Sequence, residues 1–109
     1  MHPVLWLAIA IGSEIVATVS LKLSDGFAKP IPSIMVVLGY AVSFYALAMS
    51  LRSIPLGVVY AVWSGVGTAA IVVIGYLLFR EALDAVKLAA IGLIIVGVVL
   101  LNATSAASH

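Results

Sequence analysis

Cysteine is absent from the chain, so disulfide staples and thiolate metal sites are excluded. Charge is scarce: five basic and four acidic residues make up 8% of 109 positions, against about 25% in ordinary soluble domains. A net charge of +1 offers no surface for nucleic acid. The only histidines, His2 and His109, stand at the two ends, where fraying is expected and metal ligation is not. No nucleophile–base pair, phosphate-cradling glycine loop or metal-ligand spacing occurs, so neither an enzyme nor a cofactor is expected. What is present is apolar: 65% of the residues are hydrophobic and the mean hydropathy is +1.35. Four membrane spans of about 20 residues use roughly 80 positions. The remainder suffices for short loops and tails only.

The pattern predicts an all-α membrane protein, one four-helix transmembrane domain over 1–109, with helices at about 3–22, 33–51, 55–79 and 85–102. The first apolar run begins at Val4, lacks a basic flank and is too long for a signal peptide, so it reads as a retained helix. Ser24-Asp25-Gly26 supplies turn chemistry after Lys22, and Lys29-Pro30-Ile31-Pro32 completes the first loop. Ser33 is the expected N-cap of the second helix. Arg52-Ser53-Ile54-Pro55 reads as a tight hairpin, with Pro55 in the first turn of the third helix. Asp84 closes the third loop as an N-cap, and Ala103–His109 is expected to fray. Lys22, Lys29, Arg80 and Lys87 flank loops 1 and 3, and only Arg52 flanks loop 2. That bias favours loops 1 and 3 inside and both termini outside.

Against this background Glu14 stands out. It lies well inside the first span, where an ionised side chain costs on the order of 3 kcal/mol. Leu7, Ala10, Ile11, Ala17 and Thr18 share its helical face, and most are small enough for a neighbour or ligand to approach. No basic residue lies at that depth in any helix. The competing reading is a packing face with a neutral Glu14 held by Thr18 or Ser13. The third span adds Tyr60, Trp63, Ser64 and Gly67 on one face, with Trp63 near mid-depth rather than at an interface. Tyr40 and Phe44 form a second aromatic pair at i, i+4. Aromatic faces attract desolvated cations, so a carboxylate facing them suits a lipophilic cation. Aromatic packing is the alternative, strongest for Phe44. Gly65 and Gly67 allow either a bend in helix 3 or close helix packing. Helix 4 has neither acid nor aromatic; Ala90 and Gly97, with Ala89 and Gly92 nearby, read as a helix–helix seam.

These residues together — Glu14 alone in helix 1, Lys22, Gly26-Phe27, Pro32-Ser33, Pro55, Gly57 and the run Tyr60–Gly67 — resemble the small multidrug resistance family of bacterial exporters. The likeness spans essentially the whole chain. It implies a proton-coupled antiporter in the bacterial plasma (inner) membrane, working as an antiparallel dimer joined through helix 4. In it the helix 1 glutamates bind protons or a cationic substrate alternately. Glu14 is then the coupling carboxylate, Tyr60 and Trp63 the aromatic walls, and Tyr40 and Ser64 further pocket members. The guanidinium-exporting branch typically carries Trp three residues after the glutamate. Here Ala17 stands there, and Tyr40 is present, which favours the branch exporting quaternary ammonium and polyaromatic cations. Two oppositely inserted copies would supply the inverted symmetry that larger transporters build from repeats. The alternatives are a guanidinium exporter of the same fold and one half of a paired heterodimer, the latter prompted by the basic bias. From a different class come a proton-conducting ring subunit, in which a mid-depth Trp63 has no purpose, and a non-transporting assembly subunit.

Overall fold

The computed structural model describes residues 2–107, with side chains over 2–104. Its regular elements are α1 (Pro3–Leu23), α2 (Pro30–Ser50), α3 (Leu56–Phe79) and α4 (Ala85–Ala107). All four are long and apolar enough to cross a membrane, with spans of 20 to 24 residues. They form two compact units, Met1–Ile54 and Pro55–His109, each a helical hairpin.

In the first unit α1 starts on a built cap rather than a frayed end. His2 is extended, its Nδ1 accepts the Val4 N–H at 3.1 Å, and Pro3 fills the first helical position, where no N–H is needed. The helix ends at Ser24, which is fully buried. Ser24 Oγ donates to the Leu21 carbonyl at 2.7 Å and accepts the Phe27 N–H at 3.1 Å, while its own carbonyl accepts from Lys29 N–H at 3.0 Å. These bonds hold Asp25, Gly26 and Phe27 in left-handed conformations, at φ 51°, 66° and 67°. Only the glycine adopts such a φ without steric cost. Helix α2 then begins at Pro30, three residues before the expected start. Pro30 and Pro32 both lie in the first turn, where a missing N–H is harmless. Ser33 is therefore inside the helix and not its cap: its Oγ donates back to the Lys29 carbonyl at 2.6 Å.

Small residues bring α1 and α2 together. The buried positions are Leu7, Ala10, Ala17 and Ser20 on α1, and Val36, Ser43, Ala46 and Ser50 on α2. A Cβ at Gly39 would lie 2.7 Å from Ala17 Cβ, so only glycine permits this approach. One step along, Ser43 Oγ donates to the Ala10 carbonyl at 2.7 Å, buried. In lipid, where the hydrophobic effect gives no net drive to helix pairing, close packing and such interhelical bonds (about 0.6 kcal/mol each on average) hold the hairpin.

In the second unit Pro55 is the extended N-cap of α3, and its carbonyl accepts from Val59 N–H at 3.0 Å. At the other end Arg80 turns left-handed at φ 55°, and the Gly75 carbonyl receives both the Arg80 and Glu81 N–H groups. Asp84 caps α4 as expected, its Oδ1 accepting the Lys87 N–H at 2.9 Å. Gly65 is where α3 meets α4: a Cβ there would lie 2.8 Å from Val98 Cγ2 and 3.0 Å from Ile94 Cγ2. The α4 helix continues to Ala107, five residues beyond the expected end, because Ala103, Ala106 and Ala107 are strong helix formers. Of the expected frayed tail, Ser108 and His109 lie outside the described residues.

Candidate functional site

Glu14 is partly buried on α1 and makes no ion pair among the described residues. Thr18, one turn on, donates its hydroxyl to Glu14 Oε1 at 2.7 Å. The Tyr40 hydroxyl of α2 lies 2.7 Å from the same Thr18 Oγ1. A threonine hydroxyl has one proton to give. When Thr18 gives it to the carboxylate, Tyr40 donates to Thr18, and the chain runs Tyr40→Thr18→Glu14. With the acid protonated, the same three groups can be satisfied in the reverse sense. The local packing explains the meeting. Gly39, beside Tyr40, touches Ala17, beside Thr18, so the closest approach of the helices delivers the Tyr40 hydroxyl to this spot. Ser13 is not the partner, because its Oγ bonds the Ile9 carbonyl instead.

The other expected residues divide by position. Tyr40 and Phe44 stack at 6.1 Å and 20°, with Phe44 more than half exposed. Ile11 keeps partial exposure. Leu7 is buried, and Ala10 and Ala17 retain no accessible surface, which is taken up by the approach of α2. In the second unit Tyr60 and Trp63 form a tilted pair at 5.9 Å and 59°, with Tyr60 exposed and Trp63 half-buried. Ser64 Oγ donates to the Tyr60 carbonyl and Thr68 Oγ1 to the Ser64 carbonyl, both at 2.6 Å, so these hydroxyls are turned onto their own helix. Helix α3 runs without interruption through Gly65 and Gly67. For Gly65, close packing on Ile94 and Val98 is the role observed. Ala90 and Gly97 are both exposed, and a Cβ at Gly97 would meet nothing within 4 Å. The structure thus gathers Glu14, Thr18 and Tyr40 in one hairpin and pairs Tyr60 with Trp63 in the other. Sequence reasoning missed Gly39 and Ser43. The available signal was a glycine next to Tyr40 and a hydroxyl one turn further on an otherwise apolar helix.

Four helices long and apolar enough to cross a membrane, with a mid-span acid bonded by the Thr18 hydroxyl, define a multi-pass membrane protein. Residues 2–94 match the Small Multidrug Resistance protein family, and the chain belongs to it. It is thereby an inner-membrane transporter and not an enzyme. Among its relatives is the Quaternary ammonium compound-resistance protein QacE of Escherichia coli, 51% identical over 95% of this chain and 94% of that protein. A putative ethidium bromide resistance protein of the same organism is 48% identical, over 93% and 88% respectively. Multidrug resistance protein EbrA of Bacillus licheniformis is 47% identical, over 90% and 93%.

Proposed function

We propose that the chain exports lipophilic aromatic and quaternary ammonium cations in exchange for protons, with Glu14 carrying one or the other. The observation that carries this reading is the Glu14–Thr18–Tyr40 group. An ionised acid at mid-membrane depth with no basic partner needs a positive charge brought to it, and a proton or a cation serves equally. Because both neutralise the same carboxylate, they exclude each other, and that exclusion is the coupling. Tyr60 and Trp63 act as aromatic walls, with Tyr40, Phe44, Ser64, Leu7, Ile11 and Thr18 as further lining. Ala10 and Ala17 shape the pocket by setting how near α2 comes. The names of the relatives point to the same substrate class.

The four helices act as one domain over 1–109, and two copies pair antiparallel through a seam at Ala90 and Gly97. The small, uncovered side of α4 supports that pairing. The test is direct. Adding ethidium to the purified, weakly buffered protein should release protons, because a bound cation favours the ionised acid. Glu14→Gln keeps the side-chain size but cannot ionise, so cation binding, proton release and growth in ethidium should all be lost. Binding at wild-type affinity with undiminished proton release in Glu14→Gln would overturn the assignment.

A further inference from the structure

The first unit carries a polar recess at one end, where α1 starts and α2 stops. Pro3, Trp6, Met49, Arg52 and Ser53 line a half-open cavity of about 260 Å³. It lies at headgroup level, since Arg52 and Ser53 follow directly on the end of α2 and Pro3 opens α1. Trp6 stands in the first turn of a span, where tryptophan normally meets the interface. Its ring is held edge-on by Tyr45 at 5.8 Å and 75°, so that wall of the cavity is fixed. Arg52 is exposed and makes no ion pair among the described residues.

No acid competes for Arg52 within the unit. Its two acids are Glu14, at mid-span, and Asp25, in the turn at the far end of the hairpin. A guanidinium offers donors in a fixed fork that matches two oxygens of a phosphate. Ser53 adds a hydroxyl donor beside it. The volume is ample, because one water takes about 30 Å³ of liquid and a phosphodiester with bridging waters needs only a few such units. Trp6, Met49 and Pro3 give the recess apolar flanks, from which a small free anion gains nothing but a lipid's glycerol and first acyl carbons do.

We propose that this recess binds the phosphodiester headgroup of an anionic phospholipid, gripped by Arg52 in two-pronged fashion. The site is separate from Glu14 and does not depend on the transport reading.

Native mass spectrometry of the full chain, purified and offered phosphatidylglycerol or phosphatidylcholine with the same acyl chains, tests it. The wild type should retain phosphatidylglycerol preferentially. Arg52→Gln should reduce that preference about tenfold, the scale of a lost charge-assisted bond. Arg52→Lys should lose most of it too, because a point charge cannot form the fork. Lys29→Gln, at the other end of the hairpin, should keep it, and inorganic phosphate should not displace the lipid. Arg52 is exposed, so these variants should fold, and helix content by circular dichroism verifies it. Wild-type preference in Arg52→Lys, or equal losses in Arg52→Gln and Lys29→Gln, would reduce the effect to general surface attraction and overturn the proposal. Displacement by inorganic phosphate would overturn it in favour of a small-anion site.

Discussion

Replacing Thr18 with valine deletes one hydroxyl at nearly constant volume, and its consequence follows from the Glu14–Thr18–Tyr40 geometry. The Thr18 bond to Glu14 Oε1 is 2.7 Å long. A hydrogen bond to an ionised group is worth about 1.5–3 kcal/mol, roughly twice a bond to a neutral one. Without it the carboxylate that a cation meets loses about 1–1.5 kcal/mol of support. Ethidium affinity, measured by fluorescence in detergent, should therefore fall about tenfold. Tyr40→Phe removes the second hydroxyl, 2.7 Å from Thr18, and acts on Glu14 only by polarising that bond. Its effect on affinity should have the same sign and be several-fold smaller. Thr18→Ser should restore wild-type affinity. Unchanged or tighter ethidium binding in folded Thr18→Val would refute this account of the carboxylate's support.

Other outcomes follow from the walls and seams. Trp63→Gly should weaken flat aromatic cations by about 1–2 kcal/mol in equilibrium binding; unchanged affinity would reduce Trp63 to packing. Gly39→Val should force α1 and α2 apart at Ala17, lowering stability in a denaturing-detergent titration by about 1–3 kcal/mol. Gly97→Leu meets open space within the chain, so the hairpin should fold, and on the proposed pairing through α4 cross-linked dimer should be lost. Reporter fusions at His109 should reveal both orientations for a homodimer. A single orientation, with activity only on co-expression of a second gene, would establish the paired form.

The four spans and the placement of Glu14 inside the first of them were determined by sequence alone. Hydropathy is a one-dimensional property: a run long enough to cross lipid must close its hydrogen bonds within itself, so it is helical wherever it packs. The i, i+4 relation of Glu14 to Thr18 is local in the same sense. Two local rules still misjudged element ends. Ser33 is a good capping residue in general, but Pro30 and Pro32 start α2 earlier, and alanines carry α4 to Ala107. What only the tertiary structure decided was which hydroxyl holds the acid and what lies behind it. Ser13 stood beside Thr18 as a candidate partner, but its Oγ bonds the Ile9 carbonyl, and the register of α2 puts the Tyr40 hydroxyl behind Thr18. That register is set by Gly39 against Ala17 and by Ser43 on the Ala10 carbonyl, pairs more than twenty residues apart. A slide of α2 by one turn would leave every span apolar and every local rule satisfied, yet would carry the Tyr40 hydroxyl away from Thr18. Hydropathy does not distinguish the two registers; the fit of a glycine against an alanine does.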